Sequence, residues 1–242
     1  MRRTAFSVAL LVVLSACGSA PPKSPPAGVD GLTIPTPSPD PADFVATIDN
    51  PWLPFTPGST WVYRTTSADG VQTDTVTVLD QTKVVAGVTA TVVHDLAVDE
   101  DGATVEDTYD WYAQDSAGNV WYLGEDTTAY EDGKASKEGS WEAGVDGAQA
   151  GIVMLATPRV GDGYRQEFLA GTAEDQARIL SLTATATSPA GDFTDVVQTE
   201  DTTPLEPDLV ERKYYAKGVG TVREEDVTGG DEVVVLLSHT AG

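Results

Sequence analysis

The chain has 242 residues, of which 38 are acidic and 14 basic, for a formal net charge of −24, with one cysteine and two histidines. A field of that sign repels nucleic acid and anionic lipid headgroups, and it favours cations or basic protein surfaces. One cysteine excludes an internal disulfide framework, and two histidines leave little for imidazole catalysis or a histidine-based metal centre.

In chain order, residues 1–16 read as a signal peptide: Arg2 and Arg3, an apolar run from Ala5 to Leu14, then small residues in front of Cys17. The run is too short to span a bilayer, and the arginine pair lacks the rest of a twin-arginine motif. Leu14-Ser15-Ala16-Cys17 resembles the lipobox of bacterial lipoproteins. The resemblance implies a lipid on Cys17, an extracytoplasmic place in the cell envelope, and a membrane partner reached through that lipid. It also leaves no thiol for chemistry. Residues 17–43 follow as a tether, with eight prolines between Gly18 and Asp43. Proline favours the extended polyproline II helix, so the tether reaches on the order of 80 Å.

Residues 44–242 are expected to form a single β domain with an internal repeat. Gly58-Ser59-Thr60-Trp61 matches Gly161-Asp162-Gly163-Tyr164, and Ala86-Gly87 matches Ala190-Gly191. Trp111-Tyr112-Ala113 matches Tyr214-Tyr215-Ala216, every anchor lying about 103 residues from its twin. Copy one spans about 57–124, a connector 125–158, copy two about 160–226, and a last strand 232–239. Alternation such as Thr75-Val76-Thr77-Val78 is strand periodicity with one buried face. Residues 173–180 are rich in helix formers, yet Ile179 and Leu182 fall at the register of Val76 and Leu79, so a strand is expected there. Each copy alone is a marginal unit with two open sheet edges. The fold class predicted is therefore all-β and antiparallel: an internally duplicated, pseudo-symmetric curved sheet or barrel of roughly a dozen strands.

No catalytic motif is found, so the chain is read as a non-enzymatic binding module without metal or cofactor. His94 aligns with Gln198 across the repeat, which marks it as structural, and no Gly-x-Ser-x-Gly elbow or zinc-binding spacing occurs. Asp99-Glu100-Asp101-Gly102 lacks the later glutamate of a calcium loop. The acids cluster in turns such as Asp69-Gly70 and Asp146-Gly147, where they serve solubility.

Positions shared by both copies are explained by the fold, so a specific site is expected where the copies differ. Copy one has Asp110-Trp111 where copy two has Lys213-Tyr214, and Trp121-Tyr122 where copy two has Arg223-Glu224. Adjacent aromatics on a strand point to opposite faces, so one of Trp111 and Tyr112 faces solvent, a second layer or a ligand. The candidate ligand or partner residues are Trp111, Tyr112, Trp121 and Tyr122, with Trp141 and Met154 of the connector; the partner expected is an envelope protein, a glycan or a lipid.

With the lipobox and the tether, the run Tyr214-Tyr215-Ala216-Lys217-Gly218-Val219-Gly220-Thr221-Val222 resembles a loose group of uncharacterised extracytoplasmic bacterial β proteins, many of them lipoproteins. That resemblance implies a β fold in the envelope and no particular activity. In outline the expected sheet is also similar to lipoprotein-carrier half-barrels, which implies a carrier of an apolar molecule as an alternative; it requires a sizeable apolar cavity. A carboxylate-based hydrolase is the further alternative and requires paired acids at the floor of a cleft.

Overall fold

The computed structural model describes residues 28–33, 39–131 and 133–242; Cys17, the signal peptide and the rest of the tether lie outside them. Among the described residues there are strands and one short 3-10 turn at Pro41–Asp43, and no α-helix. The strands are β1 (Gly28–Thr33), β2 (Phe44–Val45), β3 (Thr60–Ser67), β4 (Gly70–Val85), β5 (Val88–Asp99), β6 (Thr104–Asp115), β7 (Val120–Glu131), β8 (Lys134–Ser136) and β9 (Trp141–Glu142). They continue with β10 (Gln149–Met154), β11 (Asp162–Arg165), β12 (Glu167–Phe168), β13 (Gln176–Ser188), β14 (Gly191–Thr202), β15 (Val210–Ala216), β16 (Gly220–Thr228) and β17 (Val233–Thr240). The ambiguous segment is thus strand from Gln176 onward, with Ile179 buried. The hairpin turn between β6 and β7 places Gly118 at φ of 92°, a conformation that glycine adopts without strain.

Consecutive antiparallel pairing runs β3, β4, β5, β6, β7, β10 and, separately, β11, β13, β14, β15, β16, β17. Two further ladders join the sets. β17 pairs with β3 along its whole length, from Val233 opposite Thr66 to Thr240 opposite Thr60. β10 meets β12, the continuation of β11, through only Gln149 opposite Phe168 and Ala150 opposite Glu167. The result is an antiparallel barrel, nearly closed, in which the same order of six strands occurs twice.

The ladders also set which residues correspond between the two halves. Both carry a register shift at the same place, between Asp110 and Tyr112 in one half and between Tyr214 and Tyr215 in the other. Pairing equates Asp95 with Asp201, Asp110 with Lys213, Tyr112 with Tyr215 and Glu125 with Glu224. Three sequence alignments are corrected. Trp121-Tyr122 corresponds to Gly220-Thr221, His94 corresponds to Glu200 rather than Gln198, and Ile179 corresponds to Val78 rather than Val76, a shift of two that keeps it on the same face. The cause is bulging: the β13 and β14 ladder shifts register three times, the β4 and β5 ladder once.

Alternation along each strand sends every second residue inward. At one end the inward residues are apolar, and Trp61, Val78, Val93, Met154, Tyr164, Ile179, Val197, Val222 and Leu236 pack there as the main core. The segment between β2 and β3 seals this end. Its Ile48, Leu53 and Phe55 join the core, while Asn50 Nδ2 donates to Gly118 O at 2.8 Å and Gly218 N donates to Pro51 O at 2.7 Å. The plug therefore rests on the corresponding hairpin turns of both halves. A second cluster lies against β5, β6 and β7, where Trp141, Ala143, Ala148 and Ala150 of the connector pack with Val92, Trp111 and Leu123. Within the segment read as a tether, β1 pairs in parallel with β11, Gly28 opposite Asp162 and Thr33 opposite Tyr164.

The seam between β10 and β12 depends on Gly151. A Cβ there would sit 2.3 Å from the carbonyl carbon and oxygen of Gln166, which is backbone that cannot move aside cheaply. Gly151→Ala is expected to destabilise the fold by about 1–3 kcal/mol in urea unfolding, with faster amide exchange in β10 and β12. An unchanged midpoint would show that the seam is not tightly closed.

Candidate functional site

Beyond the apolar core the inward face becomes charged. In β6 the inward positions run Glu106, Thr108, Asp110, Tyr112, a strict two-residue period that puts two carboxylates in line with a core aromatic. In β4, Asp74 precedes the inward Val76 and Val78 in the same phase, and in β5 Asp95 follows Val93. These residues, with Glu125 of β7, Glu224 of β16 and Glu232 beside β17, line a cavity of about 400 Å³. Phe55, Trp61, Tyr63, Tyr112 and Tyr215 form its inner wall, and Lys213 is the one basic residue among those lining it. Glu106 and Glu232 are exposed and Asp110 is buried, so the cavity deepens from a mouth at the unplugged end toward the plug.

Burial works against this much like charge, and protons relieve it. Tyr122 Oη lies 2.6 Å from Asp110 Oδ1 and 2.8 Å from Glu125 Oε2. One hydroxyl proton cannot serve two carboxylates, so a carboxyl proton must complete the chain. Asp110 is the group that holds it: burial pushes its pKa well up, against the opposing hydrogen bond from Tyr122 and with help from the nearby Glu125 charge. Burial likewise raises Glu125 to about 7. Asp74 is pushed up to about 10, first by burial and then by its hydrogen bond to Asp95, so Asp74 keeps its proton at neutral pH. Among the described residues Asp74 Oδ1 has no hydrogen-bond partner, though it is buried.

The other half is neutralised differently. Lys213 Nζ lies 3.3 Å from Glu224 Oε2, and the charges of Glu224, Glu211 and Asp201 hold its ammonium protonated against the cost of burial. Asp201 is 3% exposed and accepts hydrogen bonds from Gln166 Nε2 at 3.0 Å and from the Thr199 hydroxyl. Lys213 draws Glu211 down, but burial with the charges of Glu224 and Asp201 outweighs it and leaves Glu211 at about 7. Lys213 also lines a second cavity of about 190 Å³ with Asp175, Asp201, Glu206 and Glu211.

The residues singled out from sequence are dispersed. Tyr112 lines the cavity and stacks on Tyr122 with ring centroids 4.8 Å apart. Tyr122 reaches the site through its hydroxyl. Trp111 is buried in the second cluster beneath Lys83 Nζ, 3.1 Å from the ring centroid. Trp141 meets Tyr122 edge-on in that cluster, and Met154 is fully buried in the main core. Trp121 donates from Nε1 to Asp115 Oδ2 at 2.9 Å and packs against Phe44. His94 lies outside this set, 2.8 Å from Asp107 and stacked on Tyr109. Apart from Asp110, sequence reasoning misses the lumen acids, because it reads the acids as lying mostly in turns. The signal that finds them is phase: Asp74, Asp95 and Asp110 each stand two residues from a core-facing Val76, Val93 or Tyr112. Among the described residues no group of three or more histidine, cysteine or acidic side chains is placed to hold a metal ion.

No protein-family model matches the chain, and no curated protein matches it. Two crystal structures resemble it. One is a Bacteroides fragilis protein described as exported and having a YmcC-like fold, 17% identical, with a TM-score of 0.44, covering 78% of this chain and 99% of that one. The other is a Parabacteroides distasonis protein described as a lipoprotein, 14% identical, with a TM-score of 0.37, covering 78% of this chain and 98% of that one.

The raised carboxyls make stability depend on pH with a definite sign. Glu125 at about 7, Glu167 at about 8 and Asp74 at about 10 all bind protons more tightly in the folded chain than their ordinary values of 4.5 and 3.8 allow. Between those limits the native state holds more protons, so their contribution is complete in acid and is lost as pH rises. Calorimetry is expected to show a higher melting temperature near pH 5 than near pH 8, and Asp74→Asn is expected to flatten the slope. A melting temperature that climbs from about pH 5 to 8 would contradict the assignment.

Proposed function

We propose that the chain is a lipid-anchored cell-envelope protein, non-enzymatic, whose barrel lumen binds a small cationic ligand. One observation carries this: an interior cavity of about 400 Å³ in which seven carboxylates face a single lysine. A cation entering it relieves repulsion that is otherwise met only by retained protons and by Lys213, and a low-dielectric wall strengthens each contact. The volume falls within the range of small-molecule sites. The lipobox-like Leu14-Ser15-Ala16-Cys17 supports the envelope location. An outer barrel face carrying Arg64, Thr73, Thr75 and Thr77 between the inward positions suits water rather than a lipid-facing band.

An apolar cargo fits this lumen poorly, because an acyl chain would strand the carboxylates without solvent or partners. The apolar part of the interior is filled by the core and the plug. A carboxylate-based hydrolase is the second reading, favoured by Asp110 and Glu125 facing one lumen with the Tyr122 hydroxyl between them.

Native mass spectrometry of the chain from Cys17 onward, released gently from its membrane, is expected to show a retained small molecule that carries positive charge. Thr65→Trp at the mouth should abolish retention while leaving the fold intact. Retention of a fatty acyl species instead would overturn the binding reading. Turnover of glycosides lost in Asp110→Asn would move the second reading ahead of it.

A further inference from the structure

The two halves of the barrel solve one electrostatic problem in two ways, and the contrast names the class of ligand. In the second half the ammonium of Lys213 stands against Glu224 at 3.3 Å, with Asp201 and Glu211 close by. In the first half the ladders put Glu125 in the place of Glu224, Asp95 in the place of Asp201 and Asp110 in the place of Lys213. The second half thus has its cation built into the chain. The first half keeps two of the three receiving carboxylates, has Thr108 in the place of Glu211, and replaces the cation by another acid in the wall of the same cavity. Independently, Asp74 Oδ1 on the same wall is buried with no hydrogen-bond partner among the described residues.

We propose that the first half of the lumen binds a primary ammonium on a short alkyl stem, held among Asp74, Asp95, Asp110 and Glu125 as Lys213 is held in the second half. The inference rests on the reading of the lumen as a binding site and specifies its ligand. Three N–H donors on one nitrogen match acceptors that converge from β4, β5, β6 and β7. A quaternary ammonium has no donor to offer them. The stem runs toward the plug against Phe55, Val93 and Tyr112, as the methylenes of a lysine would.

The test is a calorimetric and NMR titration of the chain from Cys17 onward with n-butylammonium, 1,4-diaminobutane, tetramethylammonium and calcium. The primary amines are expected to bind at least about tenfold more tightly than tetramethylammonium, with amide shifts concentrated at Asp74, Asp95, Asp110 and Glu125. Asp110→Lys, which installs the arrangement of the second half, is expected to abolish amine binding and raise the melting temperature. Should that variant not fold, Asp110→Asn is expected to weaken amine binding by about tenfold or more. Equal binding of tetramethylammonium, or binding of calcium alone, would overturn the ammonium assignment and leave the cationic lumen standing. Binding of none of the four would remove both.

Discussion

Everything in this molecule depends on each set of six strands giving its open edge to the other. A six-stranded antiparallel sheet has two rows of unpaired backbone groups, and neither set has a helix among the described residues to cover them. The ladder of β17 on β3 is long, whereas that of β10 on β12 has two residue pairs. Closure therefore leans on one strong seam and one weak seam, and the weak one tolerates no side chain at Gly151. Closing the sheet creates an inside, and the inside turns an alternating pattern into a lumen. The same step requires a plug, because a barrel of this girth is wider than its own side chains fill. The plug is a strandless segment held through Asn50 and Pro51 to the hairpin turns of both halves.

Filling the interior with acids is costly, and the two halves show what keeps it tolerable. Lys213 neutralises one half from within, and protons on Asp74 and Asp110 neutralise the other. A core built for stability alone would carry none of these groups, since hydrophobic residues of similar size pack without the desolvation cost. Keeping them while the plugged end is packed with Trp61, Ile179 and Leu236 separates the barrel into a part that holds the fold and a part that does not. Function is expected in the second part.

Much of the architecture could be read before any coordinates. Strand periodicity, the strand at Ile179 and the approximate strand number came from alternation and from the repeat, both of which are properties of neighbouring residues. The exchange of Asp110 for Lys213 was also visible, and it lies in the wall of the cavity. Bulges hid the rest. A single inserted residue changes which face a side chain takes, and sequence carries no mark of where a ladder slips. That is why Tyr122 was aligned with Glu224 when it stands opposite Tyr112 as Thr221 stands opposite Tyr215. The acids were misplaced for another reason: turns are full of acids too, and only the phase with a neighbouring core residue separates an aspartate in a loop from one in a lumen.

The parallel pairing of β1 with β11 bears on how the proposed lipid anchor would hold the molecule. Gly28 lies beside Asp162, at the plugged end of the barrel where β11 begins. Ten residues, 18–27, then separate Gly28 from Cys17, a span of at most about 40 Å fully extended. With the proposed lipid on Cys17, the barrel would be moored close and by its blind end, its acidic mouth turned away from the bilayer toward whatever diffuses past.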